Sequence, residues 1–105
     1  MAANPTGILQ DAGTVQAYGE ELRRLQREGI LGSGIIVSVI PTGEVAAAGV
    51  DWADFEMEMS LPGRDRYIAT GRLMLPRNTA DMYAPGTRHN VAVDPVNPNH
   101  FSFAA

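Results

Sequence analysis

Residues 52–61 read WADFEMEMSL, and from Ala53 onward apolar and polar side chains alternate without a break. A period of two residues is typical of a β-strand that turns one face to a core and the other to water. The apolar positions are Ala53, Phe55, Met57, Met59 and Leu61, and the polar positions between them are Asp54, Glu56, Glu58 and Ser60. The stretch therefore predicts a strand with one dry face and one acidic face, and it places the chain among mainly β proteins.

A second strand follows on the far side of a turn. Pro62 and Gly63 favour a tight connection, after which residues 66–75 alternate again. The two strands predict a hairpin in which Arg66 and Arg72 meet the acidic face of the first strand. Each such exposed pair contributes less than about 1 kcal/mol, so the charges have a structural explanation.

Shorter strand signals flank this hairpin. Residues 34–40 (GIIVSVI) are apolar and rich in β-branched side chains, which predicts a central strand ended by residues 41–43. A flexible connection is expected over residues 44–51. The remaining predicted elements are a helical turn within 79–83, a fourth strand at 88–93 and a fifth at 101–103.

These elements predict a small domain over residues 30–105. Five short antiparallel strands are typical of a small barrel or curled sheet of the OB or SH3-like type. Its expected core consists of Val37, Val39, Phe55, Met57, Tyr67, Leu73, Val91 and Phe101. The competing architecture is an open antiparallel sheet covered by a helix.

An amphipathic helix is predicted over residues 14–29, after a flexible lead-in over residues 1–13. Apolar side chains recur at helical spacing and form a stripe of four residues: Val15, Tyr18, Leu22 and Leu25. Such a helix is marginal alone in water, so the stripe must pack on something. Either the domain's own sheet or another protein chain suits it, and the stripe is the candidate interaction site.

The composition of the chain limits the kinds of molecule that we expect it to bind. The chain has 105 residues, enough for one core, and its formal net charge of -4 disfavours nucleic acid as a partner. Its eight basic residues are all arginines, which indicates a GC-rich bacterial source. There is no cysteine and no apolar run of the roughly 20 residues that a bilayer span requires. We therefore expect a cytoplasmic protein without direct membrane insertion.

Several turn motifs carry a family resemblance. They include Thr42-Gly43, Leu75-Pro76, Ala84-Pro85-Gly86 and the run VAVDPVNP over residues 91–98. With the alternating hairpin, these landmarks resemble the uncharacterised actinobacterial small β-domain family of the DUF3592-like type, over about residues 20–103. The resemblance implies a fold and no functional residue. Some relatives stand beside membrane segments, which this chain does not contain.

The side chains that could act in catalysis or bind a metal ion form no established motif. His89, Asp94 and His100 have no recognised ligand spacing, and the acidic residues within 51–58 lack a calcium-loop pattern. The serines stand in no nucleophile-elbow context. We therefore expect no catalytic residues, no cofactor-binding residues and no metal site.

The function predicted from the sequence is a non-catalytic protein-interaction or assembly module. Its expected partner is another protein or a second copy of the chain. The alternative is a small-ligand or nucleic-acid-binding OB-like barrel. An OB-like reader of nucleic acid would interleave aromatic and basic residues on one face, whereas the clearest strand here is acidic.

Overall fold

The computed structural model describes residues 12–104, and the side chains of residues 16–104. It contains one helix, α1 (Ala12–Glu28), and a 3₁₀ helix (Arg77–Tyr83). The strands are β1 (Ile30–Ala47), β2 (Val50–Ser60), β3 (Tyr67–Pro76), β4 (Arg88–Val93) and β5 (Phe101–Phe103). The mainly β prediction and the helix in front of the strands are confirmed, whereas the predicted lead-in over residues 1–13 falls almost wholly outside the described residues.

The strands form one antiparallel sheet in the order β3-β2-β1-β4-β5. No described residue of β3 pairs with β5, so the sheet is open and the predicted closure into an OB or SH3-like barrel is wrong. Closure fails physically because β5 has only three residues. Hydrogen bonds that involve side chains connect β3 to the turn between β4 and β5. The Tyr67 hydroxyl donates to the Pro98 carbonyl at 3.0 Å, and the Thr70 N–H donates to Asn99 Oδ1 at 3.3 Å.

The predicted hairpin of β2 and β3 forms, and its apolar residues share one face. Met57 lies opposite Ala69, and both are fully buried. On the other face Asp54 lies opposite Arg72, whose Nε donates to Asp54 Oδ1 at 2.8 Å. The pairing of acidic and basic side chains predicted from the alternation is confirmed for this pair.

Strand β1 is longer than the sequence suggests. Its pairing with β2 shifts register between Ile36 and Ser38, which leaves Val37 as an extra residue. A β-bulge of this kind re-aims the side chains around it. Ile36 is 1% exposed whereas Val37 is 46% exposed, so the prediction that Val37 lies in the core is wrong.

The predicted end of β1 at residues 41–43 is also wrong, because the strand continues to Ala47. A second register shift lies between Pro41 and Val45. There the Thr42 hydroxyl donates to the Trp52 carbonyl at 3.0 Å and accepts the Glu44 N–H at 3.1 Å. The irregular backbone is therefore hydrogen bonded, and the connection predicted over residues 44–51 is mostly strand.

The core lies on the inner face of the sheet, under α1. Phe55, Met57 and Met59 of β2 are at most 1% exposed. Gly71 of β3 gives space to the ring of Phe101, because a Cβ at Gly71 would stand 3.0 Å from that ring. The two edge strands thus face each other across the core, and α1 lies along the opening between them, where Leu25 is 1% exposed.

Among the described residues, no helix is long and apolar enough to cross a membrane.

Candidate functional site

The outer face of the sheet mixes aliphatic and charged side chains. One row crosses four strands, because Glu58 lies opposite both Ile68 and Ile35, and Ile35 lies opposite Arg88. Ile68 is 50% exposed. A shallow depression of about 20 Å³ opens on this face between Glu58, Arg66 and Arg88. The predicted acidic face is therefore only partly acidic, since Arg66, just before β3, and Arg88 of β4 border it.

This face ends at an edge of β1 formed by residues 37–41. Ile36 makes the last backbone contacts towards β4: its N–H donates to the Thr87 carbonyl at 3.0 Å, and its carbonyl accepts the Gly86 N–H at 2.7 Å. Beyond it, no described strand pairs with residues 37–41 on that side. Val37 and Ile40 are 46% and 61% exposed there. Pro41 has no N–H to leave unpaired, as is usual for proline on an edge.

The outer edge of β3, unlike residues 37–41, has side-chain acceptors for two of its backbone N–H groups. Its Met74 N–H donates to the Tyr18 hydroxyl at 3.0 Å, and its Thr70 N–H is bonded to Asn99. Proteins commonly block unpaired strand edges against other chains. The uncovered stretch of β1 is therefore a candidate docking surface, which we call the β1 edge (residues 37–41).

A second candidate site lies where α1 meets the turn between β4 and β5. Arg24 donates from NH2 to Glu21 Oε2 at 2.6 Å and to Asp94 Oδ2 at 2.8 Å. His100 Nε2 lies 2.5 Å from the same Glu21 oxygen. These four side chains, Glu21, Arg24, Asp94 and His100, are called the seam cluster below.

The turn holds Asp94 and His100 in place through its own hydrogen bonds. Asp94 Oδ1 accepts the N–H groups of Val96 and Asn97 at 2.7 and 3.2 Å. The His100 N–H donates to the Asn97 carbonyl at 2.9 Å, and the Asp94 N–H donates to the His100 carbonyl at 2.8 Å. The Asp-Pro-Val-Asn-Pro segment is thus an Asx-type turn that presents the second carboxylate oxygen of Asp94 to Arg24 of α1.

Hydrogen bonds within the seam cluster stabilise the ionised forms of its two carboxyl groups. Hydrogen bonding to Arg24, and then to His100, lowers the pKa of Glu21 to about 2. Arg24 likewise lowers the pKa of Asp94 to about 2, with help from the backbone N–H groups of Val96 and Asn97. The pKa of Arg24 rises in turn, chiefly through its hydrogen bond to Glu21. Both carboxylates are therefore ionised at every physiological pH.

A cavity of about 110 Å³ opens beside the seam cluster, between α1 and the edges of β3 and β5. Glu21 and His100 stand at it, and Leu22, Leu73 and Phe101 supply apolar walls. A wider groove of about 300 Å³ lies on the other side of Tyr18 and Leu22. It is lined by aliphatic and aromatic residues: Tyr18, Leu22, Val50, Met74, Pro76, Tyr83 and Phe103.

The helix stripe that the sequence offered as an interaction site faces the chain's own sheet. Leu25 is buried, and Leu22 lines both cavities. The Tyr18 ring meets Trp52 edge to face, with centroids 5.2 Å apart. The Val15 side chain lies outside the described side chains. Docking of a partner on the stripe stays a prediction, and any such partner would compete with these intramolecular contacts.

The two histidines are in different surroundings. His89 Nε2 lies 2.9 Å from the Thr87 hydroxyl, and its ring stacks on Tyr83 with centroids 4.7 Å apart. It is no part of the seam cluster, so His89, Asp94 and His100 do not converge as a set. The missed partner is Glu21, which stands 79 positions before His100. No local spacing in the sequence signals that contact.

The acidic residues of β2 are separated in the same way. Asp54 is paired with Arg72, and Asp51 Oδ1 accepts a hydrogen bond from Arg77 at 2.8 Å. The pKa of Asp51 is lowered, first of all by that hydrogen bond. These carboxylates have arginine partners and do not converge on one point.

Comparisons of the chain with models of protein families, with curated proteins and with solved structures found no match. The resemblance to actinobacterial small β-domains therefore stays a prediction.

Proposed function

We propose that the chain is a non-catalytic assembly module that binds a second copy of itself through the β1 edge. The observation that carries this proposal is the exposure of Val37 and Ile40 beside a strand edge with which no described strand pairs. Two copies would pair antiparallel across a twofold axis and extend the two sheets into one. An isologous contact of this kind is the commonest form of homodimer.

The chemistry of the edge favours such pairing. Free N–H and C=O groups on a strand are a template for another strand, which proteins limit with charged side chains, prolines and bulges. The β1 edge has the bulge at Val37 and Pro41 but no charged side chain. Residues 37–43 read VSVIPTG and contain no charge. Two copies therefore meet without like-charge repulsion at the contact itself, although each chain has a net charge of -4.

The length of the edge sets the strength of the association. Val37 is a bulge residue and Pro41 cannot donate to a ladder, so regular pairing is limited to residues 38–40. An interface this small falls below the roughly 1,000 Å² of a stable complex. We therefore expect a weak dimer whose population rises with protein concentration.

Sedimentation velocity over a range of concentrations tests the proposal. The wild-type chain should shift from monomer towards dimer as concentration rises, and Ile40→Lys should remain monomeric because it places a charge on the edge. Ile68→Lys is the matched control: Ile68 is also exposed, but it lies on β3, away from the β1 edge. A wild-type chain that stays monomeric throughout, or a dimer that survives Ile40→Lys, would refute the proposal.

Binding of a small apolar ligand is the second candidate function, and the groove of about 300 Å³ supports it. This volume is at the lower end of the range for small-molecule sites. Trp52, the one tryptophan of the chain, touches Tyr18 at the groove and provides a fluorescence probe. A saturable change in Trp52 fluorescence on titration with a fatty acid would favour this function, and an unchanged spectrum would remove its support.

A further inference from the structure

We propose that Glu21, Asp94 and His100 of the seam cluster form a binding site for Zn²⁺ or a similar divalent first-row metal ion. Each residue offers one ligand atom, and the three atoms lie within 4.8 Å of one another. One imidazole and two carboxylates are a donor set that such ions accept. This inference is independent of the proposed assembly function, because the β1 edge contributes no residue to the site.

The three ligand atoms lie close enough to surround one ion after side-chain rearrangement. Ligand atoms about 2.1 Å from a tetrahedral ion are about 3.4 Å apart. His100 Nε2 and Glu21 Oε2 would separate from 2.5 Å, and any pair near the 4.8 Å limit would close in. The cavity of about 110 Å³ beside Glu21 and His100 leaves room for water in the remaining coordination position.

Two of the ligands are held by backbone structure. The Asx-type turn uses Asp94 Oδ1 and leaves Oδ2 facing α1, and only 14% of the Asp94 side chain is exposed. The position of His100 is fixed by backbone hydrogen bonds at both ends of the same turn. The fold therefore presents this carboxylate and this imidazole from one preformed loop.

Arg24 occupies the place that the ion would take. Its guanidinium bonds the same oxygens, Glu21 Oε2 and Asp94 Oδ2, so the ion must displace it. Glu28 offers an alternative partner, since Arg24 NH1 already lies 3.5 Å from its Oε1. One guanidinium charge neutralises only one of the two carboxylates, whereas a divalent ion neutralises both.

Competition by Arg24 makes the proposal testable in a specific way. The apparent affinity is the intrinsic affinity reduced by the fraction of molecules in which the site is free of Arg24. Arg24→Gln should therefore bind Zn²⁺ more tightly than the wild-type chain, by about tenfold if Arg24 occupies the site nine-tenths of the time. An ion bound elsewhere would not respond in this direction.

Isothermal titration of the untagged chain with Zn²⁺, and the visible absorption of added Co²⁺, measure the site. We expect one ion per chain, at least a tenfold loss of affinity in His100→Gln, and a tighter complex in Arg24→Gln. His89→Gln is the matched control, because His89 stands outside the seam cluster. Circular dichroism establishes that each variant is folded.

Two results would overturn the proposal. The first is the absence of saturable binding in both the wild-type chain and folded Arg24→Gln. The second is binding that His100→Gln leaves unchanged, or that His89→Gln weakens equally, since the ion would then be held elsewhere.

Discussion

The hydroxyl of Tyr18 accepts a hydrogen bond from the backbone N–H of Met74 at 3.0 Å. Through this contact a helix side chain caps an unpaired donor on the edge of β3. Burial raises the pKa of this phenol, so it stays protonated and is free to pack against Trp52. One side chain thus both packs α1 on the sheet and blocks an edge that another chain could otherwise pair with.

Tyr18→Phe tests the contribution of the hydroxyl alone. The ring contacts remain, but a part-buried N–H loses its acceptor, so the free energy of unfolding should fall by about 1 kcal/mol. Urea denaturation followed by circular dichroism measures this change. Tyr67→Phe is the matched control, since its hydroxyl donates to the Pro98 carbonyl in an exposed setting and its loss should cost less. Equal stability of Tyr18→Phe and the wild-type chain would contradict the role given to this bond.

The two faces of β2 predict opposite responses to substitution at neighbouring positions. Met57 is fully buried, so Met57→Asp should lower the free energy of unfolding by about 3 kcal/mol or more, because it buries a carboxylate without a partner. Glu56 lies on the outer face and takes a hydrogen bond from Ser38, so Glu56→Gln should change stability by less than about 0.5 kcal/mol. Similar denaturation midpoints for the two variants would show that the face assignment is wrong.

Substitution of glycine by alanine should change the free energy of unfolding in opposite directions at Gly71 and Gly19. Gly71→Ala would place a Cβ 3.0 Å from the Phe101 ring, and overpacking of this kind costs about 1–3 kcal/mol. Gly19 lies inside α1, where an added Cβ would make only ordinary contact with Arg23 at 3.6 Å. Gly19→Ala should therefore stabilise the chain by about 0.5–1 kcal/mol through helix propensity. Thermal melts compare the two, and destabilisation by Gly19→Ala would contradict the position of that residue.

The hairpin of β2 and β3 could be predicted because alternation with a period of two depends on local sequence alone. The fourth and fifth strands were also found at their observed bounds, residues 88–93 and 101–103. β1 could not be traced in the same way. Pro41 and Gly43 are typical turn residues, yet an edge strand accommodates a proline and a bulge accommodates the glycine at φ 86°.

The seam cluster could not be predicted from the sequence, for a different reason. The Asp-Pro-Val-Asn-Pro motif predicts a turn. Its role in presenting Asp94 and His100 depends on where α1 lies, which the motif does not determine. Glu21 and Arg24 face that turn only because Tyr18, Leu22 and Leu25 pack α1 along the opening of the sheet. The contact is purely tertiary, so no spacing or periodicity reveals it.

The seam cluster predicts how stability depends on pH. The pKa of Glu21 is lowered from 4.5 to about 2, and that of Asp94 from 3.8 to about 2. A carboxyl group whose pKa is lower in the folded chain stabilises the fold above its unfolded-state pKa, and this contribution disappears as pH falls towards the folded-state value. The free energy of unfolding should therefore decline between about pH 4.5 and pH 2.

Removal of Arg24 should flatten this decline, because the guanidinium is the largest cause of both low pKa values. Urea denaturation of wild-type chain and Arg24→Gln, in steps from pH 6 to pH 2 and with chelator present, compares the two slopes. Arg27→Gln is the matched control: Arg27 lies on the same helix but its ion-pair partner is the exposed Glu28, at 3.6 Å. The wild-type chain and Arg27→Gln should lose stability in parallel, whereas Arg24→Gln should begin less stable at pH 6 and converge with them near pH 2. Because every other carboxyl group is common to the three proteins, parallel curves for all three would mean that Arg24 does not hold Glu21 and Asp94 in their ionised forms in solution.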